Sequence, residues 1–318
     1  MSAVTFAAAP DAARREIRTT FVGLLRGELR KIAHMRITWV MLAVITLFII
    51  GAQLVLVTGA KTGPELRSSP LDAYYQALQG DAALVRIFSG IFMLILAAHV
   101  VGLEYQHGTI RVLLARGVGR LQLLGAKVAA LALVGLALMT LESLIELAFT
   151  WGLTLADAQG AQPWRVLGPE YWADLRIYIF YLALNMIVTM LLGVAASVVG
   201  RSLAFGLAVG LSWFAVDNLL TIVLSLLARV TGSDFWAKLS GALLGPLLNR
   251  LPDYIAPPFH EAVQGPHGAV TLTKTTGGFG PEPLVHVPGG AAMLVIGIYT
   301  AVFIVAAIIP TWRRDVLD

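Results

Sequence analysis

The sequence predicts an all-α polytopic membrane protein with six transmembrane helices, and three observations carry that expectation. Charged residues make up 13% of the chain and hydrophobic ones 58%, whereas a soluble domain carries about a quarter charged. Six apolar runs each reach about twenty residues, the length that crosses roughly 30 Å of hydrocarbon at about 1.5 Å per residue. Lysine and arginine gather in the segments that six spans would place on one side. The net charge of +4 and a pI near 9.5 therefore belong to topology, and nucleic acid is not an expected partner. With no cysteine, disulfides, thiolate catalysis and cysteine-based metal sites are excluded.

Residues 1–36 form a basic arm containing Arg14, Arg15, Arg18, Arg26, Arg30, Lys31 and Arg36, too long a lead for a cleaved signal. Within it Ile17, Phe21, Leu24, Leu25, Leu29 and Ile32 recur at three- and four-residue spacing, predicting an amphipathic helix on the cytoplasmic membrane surface. Residues 37–318 hold the six-helix domain. The first span is Ile37 to Val57, followed by a polar loop from Thr58 to Asp81 that is broken by Gly and Pro. The second is Ala82 to Leu103, and the third runs from Ala126 to Leu155. A loop with Pro163, Trp164, Pro169 and Trp172 precedes the fourth and fifth, Leu175 to Val199 and Leu203 to Leu227. Only Gly200-Arg201-Ser202 separates these two, so they form an antiparallel hairpin.

An outer insertion occupies about 228–289. Phe235, Trp236, Leu239, Leu243, Leu244, Leu247 and Leu248 supply an apolar face that breaks at Gly245-Pro246, too interrupted to span and expected as an interfacial or re-entrant helix pair. From Pro252 to Pro288 the chain reads as an extended loop, with a small hairpin around Val270 to Lys274. The sixth span, Ala291 to Ile309, ends at Pro310 and the basic Arg313 and Arg314. Fourteen of the 23 lysines and arginines lie in the arm, in the segment Arg111, Arg116, Arg120 and Lys127, at Arg201, and in the tail. By the positive-inside rule these segments and both termini face the cytoplasm of a multi-pass cell-membrane protein, and the insertion is outside.

The segment Glu104-Tyr105-Gln106-His107-Gly108-Thr109-Ile110-Arg111, running on to Lys127, joins the second and third spans. Gly108 ends one helix, Thr109 is a good N-cap, and Ile110 to Arg116 has room for two turns before Gly117 and Gly119. That predicts a short helix rigidly tied to two spans, with Ile110, Leu113 and Leu114 able to fill a groove on a partner and Arg111 and Arg116 able to pair with its acids. A well-made cytoplasmic turn satisfies the same residues. Glu104 has three candidate partners: Arg111, Arg120 and the N-terminal arm.

This segment, EYQHGTIRVLLARGVGRLQLLGAK, resembles the one after the second span in type-2 ABC exporter permeases. In that family an acid and an aromatic precede Gly-Thr and a basic residue, then Leu-Leu, a break, and Arg before a Leu-rich run ending in Lys. Glu104, Tyr105, Gly108, Thr109, Arg111, Leu113, Leu114, Arg120 and Lys127 occupy those places. The basic amphipathic arm, six spans and a broken insertion between the fifth and sixth extend the resemblance over nearly the whole chain. The length of Pro252 to Pro288 departs from it. The resemblance implies a permease subunit of an exporter without its own ATPase. Two nucleotide-binding subunits carrying ATP and Mg would dock on Thr109 to Arg116, and two permeases, identical or paralogous, would pair. Consistent with that, no Gly-x-x-x-x-Gly-Lys-Ser/Thr phosphate cradle occurs in the chain.

Polar residues stranded in apolar spans are the candidates for a transport path, because an ionisable side chain in hydrocarbon costs several kcal/mol and turns inward. They are Glu142 and Glu146, four apart on one face of the third span, Asn185 with Thr189 on the fourth, and Asp217 and Asn218 on the fifth. Helix-to-helix hydrogen bonding accounts for such residues equally well. Amphipathic, peptide-like, drug-like or lipid-like cargo is the expectation that goes with the path. His99 is expected to pack between helices. His260, Glu261, His267 and His286 match no compact metal site, so no metal is expected. A membrane enzyme using Glu142 and Glu146 would lack a His-Glu-x-x-His run, a Gly-x-Ser-x-Gly elbow and a cysteine nucleophile. A non-transporting anchor for a cytoplasmic ATPase is the remaining alternative.

Overall fold

The computed structural model describes residues 20–58, 70–115, 117–157, 168–255 and 283–313. Among them lie ten helices: α1 (Phe21–His34), α2 (Arg36–Thr58), α3 (Pro70–Gln106), α4 (Thr109–Ala115), α5 (Arg120–Asp157), α6 (Pro169–Gly200), α7 (Leu203–Thr231), α8 (Asp234–Ser240), α9 (Leu244–Ile255) and α10 (Gly289–Arg313). Six of them, α2, α3, α5, α6, α7 and α10, contain stretches long and apolar enough to cross a membrane. The protein is an all-α polytopic membrane protein.

Two of the six are central. In α3 and α6, 67 and 72% of the most apolar stretch is buried within the protein, against 22 to 28% in the other four. The outer helices present bare apolar side chains such as Leu47, Val55, Leu219 and Leu294, a surface that water would not tolerate and acyl chains do. Small residues let the central helices close up. A Cβ on Gly193 of α6 would lie 2.7 Å from the Leu94 carbonyl of α3, and one on Gly102 of α3 would lie 2.6 Å from the Leu203 Cα of α7. Backbones at that separation leave no room for a methyl group.

Helix boundaries depart from the sequence expectation wherever helices outrun the hydrocarbon. The second helix begins at Pro70 rather than Ala82, so the C-terminal part of the expected Thr58–Asp81 loop is helical. Similarly α6 begins at Pro169 and takes in Trp172. In both cases proline occupies the first position, where its missing N–H is no loss. The third span starts at Arg120 rather than Ala126, immediately after Gly119, so the basic stretch to Lys127 is its first two turns. At the other end of the chain α10 passes through Pro310 to Arg313 instead of stopping there.

In the insertion the break falls at Gly241 to Leu243, between α8 and α9, and Gly245 and Pro246 lie in the first turn of α9. Proline is at home in that turn too. Leu244, Leu247, Leu248 and Leu251 of α9 are buried, while Tyr299 of α10 donates to the Ala242 carbonyl at 3.1 Å and the Leu284 N–H donates to Ser240 Oγ at 2.8 Å. The pair α8–α9 is thereby fastened to α10 and to the segment that leads into it. The expected hairpin around Val270 to Lys274 lies outside the described residues.

Candidate functional site

At one end of the bundle α1, α4, the α6–α7 joint and the last turn of α10 come together. Thr20 caps α1 by accepting from Gly23 N at 3.2 Å. The helix then buries Glu28 and Ile32 against α5, and Met35, in extended backbone, turns the chain into α2. Amphipathic spacing predicts this helix; what it buries is a carboxylate as well as the apolar stripe.

Glu28 belongs to a lattice of two acids and two lysines. Lys127 Nζ of α5 lies 2.8 Å from Glu28 Oε1 and 2.7 Å from Glu104 Oε1. Lys31 Nζ of α1 lies 2.5 Å from the same Glu104 oxygen and 3.2 Å from Glu28 Oε2. Each ammonium also points at the Val100 carbonyl of α3, at 3.2 Å from Lys31 and 3.5 Å from Lys127, so all three donors of each lysine find acceptors. Lys127 is 3% exposed on its side chain and Lys31 33%. Burial works against the charge of Lys31, but Glu104 and Glu28 outweigh it and hold the lysine above its ordinary value of 10.5. Three helices are pinned at one neutral point. Of the three candidates for Glu104, the arm is the one it meets, through Lys31, together with Lys127.

The joint between α3 and α5 is built as a rigid bracket. After α3 ends at Gln106, Gly108 adopts φ +67° and Gly117, beyond α4, φ +82°, conformations that only glycine takes without strain. Thr109 is the first residue of α4 rather than its N-cap. Its hydroxyl donates backwards to the Glu104 carbonyl at 3.4 Å, satisfying the end of α3. Ile110, Val118 and Leu123 form a small apolar core with Leu24, Tyr105, Leu113 and Leu114 packed on it. Leu113 and Leu114 thus lean partly on the protein itself, while Thr109, Arg111, Val112 and Ala115 are exposed. Arg120 Nη1 donates to the Trp312 carbonyl of α10 at 3.5 Å. Arg116 lies outside the described residues.

The polar residues of the spans fall into three groups. Glu146 accepts from Gln53 of α2, whereas Glu142, one turn earlier and 3% exposed, has both carboxyl oxygens buried without a hydrogen-bond partner among the described residues. Asp217 accepts the Gly245 N–H at 2.9 Å, and Asn218 accepts from Asn249 at 3.3 Å, so both fasten α9 to α7. Asn185 donates at 3.0 Å to the carbonyl of Arg86, and Thr189 donates to the Asn185 carbonyl. His99 Nδ1 sits 2.9 Å from the Ile95 carbonyl of its own helix.

Arg86 was not among the sequence candidates. It is 2% exposed near the start of the α3 span. Its guanidinium donates to Tyr181 Oη at 2.6 Å and to the Leu248 carbonyl of α9 at 2.8 Å, and it lies over the Tyr181 ring at 5.8 Å. A lone arginine inside the expected Ala82–Leu103 run was the available signal, under the same rule that singled out the acids. Glu28, expected with Arg18, Arg26, Arg30 and Lys31 on the polar faces of the arm helix, is buried instead at 6% exposed, the only acid between Ile17 and Arg36 being drawn inward by Lys127. Among the described residues no cluster of three or more His, Asp or Glu stands close enough to hold a metal ion; His260, Glu261 and His267 lie outside them.

Six apolar helices, two of them buried at the centre of the other four, with a short bracketed helix between the second and third spans, define a polytopic α-helical membrane protein. Residues 24–216 match the family model described as ABC-2 family transporter protein, which is more than half the chain. The chain belongs to that family and is the membrane-spanning permease subunit of an ABC transporter. No curated protein matches it.

Proposed function

We propose that the protein is the permease of an ABC exporter in the cell membrane, with both termini and α4 in the cytoplasm. ATP and Mg are bound by separate ATPase subunits that dock on α4. Two permease copies, or this chain and a paralogue, flank a path for amphipathic, peptide-like, drug-like or lipid-like cargo, opened alternately to each side. The observation that best supports this is the bracket around α4: a helix fixed by two positive-φ glycines, a private apolar core and the lattice at Glu104 moves only with the spans it joins. A push on Arg111 or Val112 would therefore be delivered to α3 and α5 together. Tyr105, Gly108, Thr109, Leu113, Leu114, Arg116 and Arg120 complete the coupling element in this reading. Glu142 is the best-supported path residue, because a buried carboxyl without a partner does nothing for the fold. Glu146, Asn185, Asp217 and Asn218 are weaker candidates, since each already serves a helix contact.

Co-purification tests the reading. An ATP-hydrolysing subunit should come down with the wild-type chain, and Gly108→Val or Arg111→Glu should weaken its retention and uncouple ATP hydrolysis from cargo. Active protein that retains no such subunit would sink the proposal.

A further inference from the structure

The third span carries two acids four residues apart, and the fold treats them differently. Glu146 accepts from Gln53 of α2, and Asp217, the acid of α7, accepts from the Gly245 N–H. Glu142 is buried with neither carboxyl oxygen bonded among the described residues. Nor do those residues supply it a counter-charge. Their two buried cations are Arg86, which donates to Tyr181 and to the Leu248 carbonyl, and Lys127, which Glu28 and Glu104 hold. A carboxyl group left so in hydrocarbon is costly, and a cation brought against it removes the cost.

The same face of α5 has a second feature. Two turns before Glu142 stands Gly135, where a Cβ would lie 3.4 Å from Met93 Sδ of α3 and 3.6 Å from Met186 Cε of α6. Leu138, between the two positions, is buried as well. Thioether side chains are unbranched, flexible and polarisable, and they adapt to apolar bodies of varied outline. One helix face thus offers an acid without a partner and, beside it, an apolar strip edged by methionine. Binding sites for small molecules combine an adaptable apolar lining with a few placed polar groups in this way, and the molecule that complements both parts is an amphiphilic cation.

We propose that Glu142 is the counter-charge for a cationic group on the cargo, and that the substrates of this permease are amphiphilic cations whose apolar part lies against Met93 and Met186, an assignment that rests on the reading of Glu142 as a path residue. It narrows the cargo to one charge. Glu146 is a closing contact in this arrangement rather than a ligand: its bond to Gln53 holds α2 beside α5 one turn away, and the cation enters when α2 parts from α5. An anion or a neutral molecule of the same outline gains nothing at the carboxyl.

The full-length chain in phosphatidylcholine nanodiscs is tested with two ions of one shape and opposite charge, tetraphenylphosphonium and tetraphenylborate, and with neutral triphenylphosphine oxide. Equilibrium dialysis against empty discs reads binding to wild type, Glu142→Gln and Glu142→Asp. The expected result is saturable binding of the phosphonium, weakened about tenfold or more in Glu142→Gln and retained in Glu142→Asp, with no saturable binding of the borate. Equal affinity of wild type and Glu142→Gln for the phosphonium would overturn the assignment, as would its failure to bind wild type or equal binding of both ions. Should Glu142→Gln not fold, Glu142→Met removes the same charge and takes its place. The path role is read separately, from ATP hydrolysis by the chain together with its ATPase subunit. If Glu142→Gln binds the phosphonium as wild type does but loses stimulation by it and by triphenylphosphine oxide alike, the path role stands and the cationic class falls. Unchanged stimulation by every probe that stimulates wild type removes both.

Discussion

The ammonium of Lys31 lies 2.5 Å from the Glu104 carboxylate, and that same oxygen is 2.7 Å from Lys127, so one carboxylate ties the N-terminal helix and two spans together. Glutamine in its place keeps an oxygen acceptor but removes the charge, so that Lys31 and Lys127, the latter 3% exposed, must share the single carboxylate of Glu28. Breaking a buried pair from one side costs about 3–5 kcal/mol, so Glu104→Gln should lower the thermal midpoint sharply. Lys31→Gln, acting on a side chain one-third exposed, should cost about 1 kcal/mol. Thermal unfolding of both singles and the double would show coupling through non-additivity, and strictly additive losses would mean that the two groups do not interact.

The pH dependence of this lattice has a definite sign at Lys31. Its folded value is raised above 10.5, Glu104 and Glu28 outweighing burial. A raised lysine contributes stability that is fully present below its unfolded value and is lost as pH climbs through the folded one. The contribution should therefore be constant at neutral pH and disappear only above 10.5. Melting curves of wild type should converge on those of Lys31→Gln in strong alkali, and a gap that narrows in acid instead would contradict the assignment.

Close approach of the central helices makes glycine substitutions unequal. A methyl group at Gly102 would lie 2.6 Å from the Leu203 backbone, while one at Gly51 would meet nothing within 4 Å. Overpacking costs about 1–3 kcal/mol, and glycine inside a helix is itself worse than alanine by about 0.5–1 kcal/mol. Gly102→Ala should thus destabilise markedly and Gly51→Ala be neutral or slightly stabilising, as thermal midpoints in one detergent would report. Equal effects would mean that the α3–α7 contact is looser than described.

The spans were legible because hydrocarbon demands about twenty apolar residues in each crossing, whichever residues they are. Their ends were less so. Pro70 and Pro169 look like loop punctuation, yet proline is equally a first helical residue, and only the packing of α3 and α6 decides between them. At the bracket, the glycines at 108 and 117 revealed the turns, while the reversed hydroxyl of Thr109 depends on where α3 ends. Partners were the least legible feature. Glu104 had three candidates within reach of a linear reading, and only three-dimensional proximity selects Lys31 and Lys127. Asp217 resembled a stranded acid until α9, 28 residues further on, was seen to bring Gly245 N to it.

That contact makes Asp217 separable from a cargo role. A side-chain acceptor at a helix N-terminus contributes about 0.5–2 kcal/mol, and asparagine can still accept. Asp217→Asn should hold α9 in place, whereas Asp217→Ala should loosen it. Because the chain has no cysteine, a single Asn249→Cys background reports the change: maleimide labelling should accelerate with Asp217→Ala and stay slow with Asp217→Asn. Similar labelling in both would show that the carboxylate does not hold the helix.

Glu142 poses the opposite case, a carboxyl group whose two oxygens are buried without hydrogen-bond partners among the described residues. An unsatisfied buried polar group costs about 1–3 kcal/mol, and methionine, unbranched and of similar length, would remove that cost without leaving a hole. On stability alone Glu142→Met is therefore an improvement. If the carboxyl lines the path, the same substitution should abolish cargo-stimulated ATP hydrolysis in lipid while raising the thermal midpoint. That pairing is the useful one, because a damaged fold cannot produce it. Gains in both quantities, or unchanged transport in the more stable variant, would remove Glu142 from the path. A destabilised Glu142→Met would show instead that the carboxyl has a structural partner in the folded protein.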